Sequence, residues 1–392
     1  MTLLAIPWFV LQTTGSVART GVTALALVIP VVLSTFIGGV LIDRLGFRRS
    51  SMLADVASGL TTAAIPLLYA LDLLDFATLL VLVLLGALLD APGTTARQSM
   101  IPEIAAGIRL ERANAAFELV LQLKNLLAPA VAGLLIVRIG AAPVLWIDAA
   151  TFVVSALLVA IFVPRDAVPR RRQAATISRL GAELAEGLRF IRDTPVVLWM
   201  ALVSLVGNAM ISPLFLLVMP VYADEVFGDA ARLGLTLGAF GGAAVGGALL
   251  YGAFAHRAPR RLWYVGSQLG KTLGSLLLAL MPAFAGAAAA LGLMGLTSGS
   301  GRPLAATVRQ ERTPVEMRGR VFGAIMALST GAMPAGVVLS SILLDAAGLR
   351  AVLVAYAVVS VSSLAVVLLH PAFRLLDAAR PAGAYNAPTT NR

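Results

Sequence analysis

Gly38-Gly39-Val40-Leu41-Ile42-Asp43-Arg44-Leu45-Gly46-Phe47-Arg48-Arg49 closes one apolar run and delivers it into a basic turn. The run behind it, residues 20–42, carries no charged side chain. It matches the ~20 residues that cross a ~30 Å hydrocarbon layer at 1.5 Å per residue. Working outward, similar runs stand near 2–15, 51–71, 76–98, 113–137 and 142–163, then near 195–222, 232–254, 262–282, 284–307, 320–344 and 350–370. The 392-residue chain is 59% hydrophobic and 13% charged, against roughly one-quarter charged in soluble domains. A water-soluble fold is excluded. Because unpaired backbone groups are costly in lipid, such runs read as helices, and the expected class is an all-α membrane protein with 12 transmembrane helices.

The arginines decide orientation. Connections after even-numbered spans hold Arg44, Arg48 and Arg49; Arg97, Arg109 and Arg112; a cluster from Arg165 to Arg192; Arg257 to Arg261; Arg309 to Arg320; and Arg374 onward. Those after odd-numbered spans hold only Arg19, Arg138, Arg232 and Arg350. The bias places the even side of a multi-pass protein in the cytoplasm, and the expected location is a bacterial inner membrane. Residues 164–194 carry Arg170, Arg171 and Arg172, then Leu180, Leu184, Leu188 and Ile191 at helical spacing. That stripe reads as an amphipathic helix on the inner membrane surface, with a plain solvated linker as the alternative.

The chain repeats itself. Gly38-Gly39-Val40-Leu41 recurs as Gly246-Gly247-Ala248-Leu249, and Arg97-Gln98 followed by Pro102 recurs as Arg309-Gln310 followed by Pro314, offsets of 208 and 212. Duplicated halves with a midplane site between them are the plan of secondary transporters. The expected organisation is a six-helix half over 1–163, a cytoplasmic linker over 164–194, a second six-helix half over 195–371 and a cytoplasmic tail over 372–392. The first span is short: about 14 apolar residues precede Gly15-Ser16, so the first helix reads as truncated or its start as misassigned, and it lacks the basic n-region of a signal peptide.

Other classes find little support. The net charge of +10 is dispersed between spans rather than gathered on one face, which argues against nucleic acid. Without cysteine there is no thiolate metal site, and His256 and His370 lack a partner at ligand spacing, so no metal or other cofactor is expected. No His/Asp/Ser constellation suggests an enzyme.

The opening stretch resembles the loop between spans 2 and 3 of the major facilitator superfamily, Gly-x-Leu-x-Asp-Arg-x-Gly-x-Arg, with Phe47 where a basic residue often stands. The resemblance implies two pseudo-symmetric six-helix bundles and a conformational latch at Gly39, Asp43, Arg44, Gly46, Arg48 and Arg49. Physically, Asp43 can hold a helix N-terminus while the arginines anchor at headgroups; the alternative is a positive-inside loop and no more. Ala128-Pro129-Ala130-Val131-Ala132-Gly133 is similar to the Gly-Pro-x-x-Gly-Gly motif of proton-coupled exporters, with two glycines changed to alanine. Pro129 removes a backbone donor and bends the span, and Gly133 allows close packing. Glu111-Arg112-Ala113-Asn114, Glu186-Gly187-Leu188-Arg189-Phe190-Ile191-Arg192 and Arg318-Gly319-Arg320-Val321-Phe322 resemble the branch containing macrolide-efflux and enterobactin-exporter proteins. It implies efflux of a drug-like or secondary-metabolite small molecule against protons by alternating access, in a monomer. A facilitator-type importer or symporter stays the alternative, ahead of a membrane enzyme or a non-transporting sensor.

Ionisable residues at bilayer depth default to function. Asp90, Lys124 and Lys271 lie deepest; Glu118, Asp148 and Arg302 lie nearer the ends. The repeat makes Asp90 and Arg302 equivalents of opposite sign, expected to flank the route or to pair in one state, against a permanent structural pair. Pro92, just after Asp90, frees the carbonyl of Leu88 and is expected to break span 4. Glu118 and Gln122 share one face of span 5 and Lys124 the next, which makes a polar wall; Lys124 either carries a proton or neutralises Asp90 or Glu118. Because the family's ninth span tends to be peripheral, Lys271 is expected to pair structurally or to snorkel. Trp146, Phe117, Phe152, Phe215 and Phe240 could line an aromatic pocket.

Overall fold

The computed structural model describes residues 2–30, 47–104, 110–163, 177–314 and 317–377. The first half contributes α1 (Thr2–Thr14), α2 (Val17–Pro30), α3 (Phe47–Ala70), α4 (Phe76–Ile104), α5 (Leu110–Ile139) and α6 (Ala141–Phe162). A connecting helix α7 (Ile177–Asp193) leads to α8 (Pro195–Phe227), α9 (Ala230–Phe254), α10 (Arg260–Ala279) and α11 (Phe284–Arg312). The last stretch, Arg318–Leu369, breaks at Gly348 into α12 (318–347) and α13 (349–369). Among the described residues, each expected span coincides with one helix and the amphipathic stretch with α7. By length and hydropathy, α3, α6, α8, α9 and the α12–α13 run qualify as membrane-crossing, while α10 does not. Gln268, Lys271, Thr272 and serines dilute it.

The connections after α1, α3 and α5 in the first half and after α8, α10 and α12 in the second are built alike. Each passes through one residue with positive φ: Gly15 (62°), Asp72 (56°) and Gly140 (85°) in the first half, Gly228 (62°), Met281 (51°) and Gly348 (79°) in the second. Corresponding turns are 213, 209 and 208 residues apart, close to the offsets of the sequence repeat. A left-handed residue at a helix end lets its N–H reach back to an orphan carbonyl and reverses the chain at once. Gly15 N–H donates to Leu11 O and Gly140 N–H to Ile136 O, each at 2.8 Å. Four of the six positions are glycine, which adopts that backbone without a Cβ clash. After the Asp72 turn, Asp75 accepts the Thr78 backbone N–H at 2.8 Å and starts α4. That bonding to Thr78 holds its carboxyl below the ordinary value.

Within the first half α3 packs on α4 and α6; within the second α11 packs on α9 and α10, and α8 on the α12–α13 run. The halves meet where α5 crosses α9. A Cβ on Gly133 would come within 2.5 Å of Ala230 O and 2.9 Å of Gly234 Cα, so the backbones touch there. On the other side, a Cβ on Gly21 of α2 would meet Ser341 of α12. The degenerate exporter-like motif thus lies at a contact between halves, where small residues permit close approach.

Toward the end with the tight turns, both halves share one buried apolar cluster. It joins Ile6, Trp8 and Val10 of α1, Val144 and Leu145 of α6, Leu217 and Tyr222 of α8, and Leu233 of α9. Here α8 departs from α-helical geometry: Pro213 precedes a π-helical turn at Leu214–Val218, and a second follows at Ala223–Phe227. Proline donates no backbone hydrogen bond, and a wider turn is a common consequence. The Tyr222 hydroxyl, carried inward, donates to Pro282 O at 2.5 Å, and Gln12 of α1 donates to Asp224 of α8 at 2.8 Å.

Candidate transport cavity

The second half contains a cavity of about 740 Å³ walled by α8, α10, α11, α12 and α13. It abuts the shared apolar cluster at Leu214, Leu278, Met294, Leu353 and Tyr356 and reaches Arg309, Gln310 and Phe322 near the arginine-rich end. The polar wall comes from α10. Tyr264, Ser267, Gln268, Thr272 and Ser275 are buried, whereas Leu262, Leu269, Leu273, Leu276 and Leu280 are exposed on the outside. This is an amphipathic helix turned inside out, as a lipid-facing exterior and a wet interior require. Gly301 of α11 lets that wall come close, since a Cβ there would lie 2.7 Å from Ser267 Oγ. Thr272 Oγ1 donates to Gln268 O at 2.9 Å and to Ser360 O at 3.0 Å, tying α10 to α13.

Three cations open into this space: Lys271, Arg302 and Arg309. Lys271 Nζ donates to Gln268 Oε1 at 2.9 Å, and Arg302 lines the same space from α11. Arg309 Nε donates to Ala305 O of its own helix at 3.1 Å. Among the described residues of the wall none is acidic. From α8 and α12 the lining takes apolar Met210, Ile211, Ile325 and Met326 together with polar Ser204, Asn208 and Ser329. At the arginine-rich end, Tyr264 stacks on Phe373 of the short turn Pro371–Leu376 with ring centroids 5.5 Å apart. Beside it Arg260 clasps Glu311 at 2.5 and 3.0 Å. Lys271 therefore faces the cavity and is neither peripheral nor snorkelling as expected. The signal was in the sequence: residues 264, 267, 268, 271, 272 and 275 form a polar stripe at helical spacing.

The expected site residues distribute unevenly. Arg302 lines the cavity; Asp90 stands half-buried on α4, and among the described residues no ion pair joins the two. α4 continues as helix through Pro92, so the freed carbonyl does not interrupt it. Asp148 of α6 is buried and accepts hydrogen bonds from the Thr2 backbone N–H, at 2.8 Å, and from the Thr2 hydroxyl. It thereby sits at the positive end of the α1 dipole. Lys124 is exposed, about half a turn round α5 from Gly133. Gly39, Asp43, Arg44 and Gly46, with the side chains of Glu118 and Gln122, lie outside the described residues. Of the proposed latch, Arg49 is exposed and Arg48 Nη2 donates to Ala160 O of α6 at 2.6 Å. Asp55 on α3, overlooked in the sequence because it stands one turn inside a span, is buried and accepts the Ser155 hydroxyl of α6 at 2.8 Å. Of the aromatics, Phe215 and Phe240 meet edge to face at 4.9 Å and Trp146 is 45% exposed; neither these nor Phe152 is on the cavity wall.

Apolar helices in two repeated halves, the second enclosing a partly polar cavity, describe a membrane-embedded carrier fold. The chain belongs to the major facilitator superfamily, whose model matches residues 1–291 and 214–391. It is 34% identical to the multidrug efflux pump Tap of Mycobacterium tuberculosis (strain ATCC 25618 / H37Rv) over 384 residues, covering 97% of this chain and 91% of that protein. It is 30% identical to the enterobactin exporter EntS of Escherichia coli O9:H4 (strain HS) over 291 residues, 73% of this chain and 67% of that one. The crystal structure of the nucleoside transporter NupG superposes with a TM-score of 0.73 at 12% identity, covering 95% of this chain and 94% of that one. A D-xylose–proton symporter superposes with a TM-score of 0.71 at 14% identity, covering 93% and 91%.

Proposed function

We propose that this chain exports a drug-like or secondary-metabolite small molecule from a bacterial cytoplasm, coupled to inward proton flow, by alternating access. The carrying observation is the position of the cavity: it extends toward the arginine-rich end while both halves close over the tight-turn end. With the positive-inside bias this is an inward-facing carrier, loaded from the cytoplasm. Similarity to a multidrug efflux pump and to an enterobactin exporter supports the outward direction. The halves, 1–163 and 195–371, move as bodies about the α5–α9 and α2–α12 contacts of a monomer, with 164–194 joining them and 372–392 as a cytoplasmic tail. Glycine contacts favour such motion because they are smooth and carry few interlocked side chains.

Proton coupling falls to Asp90, with Glu118, Gln122 and Lys124 shaping the first half's share of the route. Protonating Asp90 would remove its charge and shift the balance between the two open states. The test is transport of a fluorescent drug-like dye into everted membrane vesicles energised by respiration. Uptake that collapses with an uncoupler is expected, and import into intact cells instead would reverse the direction. Asp90→Asn is expected to lose proton-driven uptake; unchanged uptake would remove Asp90 as the carrier.

A further inference from the structure

We infer that the second-half cavity is built for an organic anion, with Lys271 and Arg302 as its receptor for the negative group; this rests on the cavity being the transport site. Lys271 in mid-span and Arg302 on the neighbouring helix line one space, and cations gathered there are costly to hold unless something negative joins them. Among the described residues the wall supplies no carboxylate to do so. Lys271 Nζ donates, among the described residues, to the neutral amide of Gln268, which orients the ammonium without neutralising it. Glu311, the nearest acid in sequence to this part of α11, is engaged by Arg260 at the end of the bundle.

The remainder of the space describes the rest of the ligand. Met210, Ile211, Ile325 and Met326 share the lining with Ser204, Asn208 and Ser329, so the solute is amphipathic, one anionic group on a largely apolar body with some polar substituents. Its size suits the cavity, since drug-sized ligands occupy roughly 300–1,000 Å³ sites. Arg302 offers a planar fork that matches a carboxylate in two hydrogen bonds, while Lys271 acts as a point charge. A carboxylate or phenolate fits this pair, and so would the phosphate of an anionic lipid headgroup; the experiment separates these sources.

The full-length protein, purified into phosphatidylcholine nanodiscs, is titrated with radiolabelled 2-naphthoate and, separately, with its neutral amide. The carboxylate is expected to bind about tenfold or more tightly than the amide. Lys271→Met and Arg302→Gln are each expected to erase that preference, and Lys271→Arg to keep it, which shows that loss is not misfolding. Equal binding of carboxylate and amide, or a preference surviving both neutral substitutions, overturns the inference. In nanodiscs of phosphatidylglycerol, unchanged naphthoate binding supports a solute site. Loss of binding there means a lipid headgroup takes the place and overturns it. Dye export by the wild type in everted vesicles is measured alongside. Absent export strikes the transporter reading, whereas intact export without anion preference strikes only this inference.

Discussion

The two halves share helix order and turn chemistry, yet they treat buried charge in opposite ways. In the first, Asp148 is satisfied by Thr2 at the start of α1 and Asp55 by Ser155, each bond crossing between helices. In the second, Lys271, Arg302 and Arg309 open into a cavity. A duplicated fold fixes where helices go and leaves each half free to spend its polar residues differently. One half uses them as staples, the other as a lining.

The comparison breaks most severely at the contact both halves share. Gly133→Val would force its side chain into Ala230 O and Gly234, and overpacking of this kind costs about 1–3 kcal/mol. Near-complete loss of dye transport is expected, with a lower melting temperature in detergent. Lys271→Met should divide function from stability. Transport of an anionic substrate is expected to fall about tenfold, while the melting temperature holds because the lysine has no ion-pair partner to lose among the described residues. A clear drop in melting temperature would make Lys271 a staple like its counterparts in the first half. Asp148→Ala should do the reverse, since it strips buried hydrogen-bond partners from Thr2: about 1–3 kcal/mol of stability lost, read as thermal shift, with little change in substrate selectivity.

The smallest effect is expected at α7. Its Glu186 accepts both close contacts from Arg320 of α12 at 2.7 Å, but both side chains are more than one-third exposed. Glu186→Gln should cost at most about 0.5 kcal/mol and less in high salt. α7 is held more by Gly187, where a Cβ would lie 2.5 Å from Arg320 O, and by buried Ile191. Leu184 and Leu188 are left 38% and 37% exposed, as a helix lying against a membrane surface would leave them.

Much of this was legible beforehand. Span positions follow from hydropathy because lipid leaves backbone amides no partner but their own helix. Even the polar stripe of α10 stood at plain helical spacing, but a lysine in mid-span reads alike whether it snorkels or faces a cavity. Asp90 and Arg302 illustrate the limit in another way. The repeat made them equivalents, and equivalence under a pseudo-twofold axis is not contact. Phe215 and Phe240, candidates for a pocket, prove to pack on each other between α8 and α9.

What the sequence by itself determined is therefore the one-dimensional part: where the apolar helices lie, that the arginines gather after alternate ones, and that the pattern recurs. Those properties depend on local composition, read against a slab of known thickness. What only the tertiary structure decided is rotation. Whether Lys271 looks inward, whether Asp148 meets a helix end, and which glycine touches which carbonyl depend on how each helix turns about its axis. That angle is set by packing against neighbours distant in sequence.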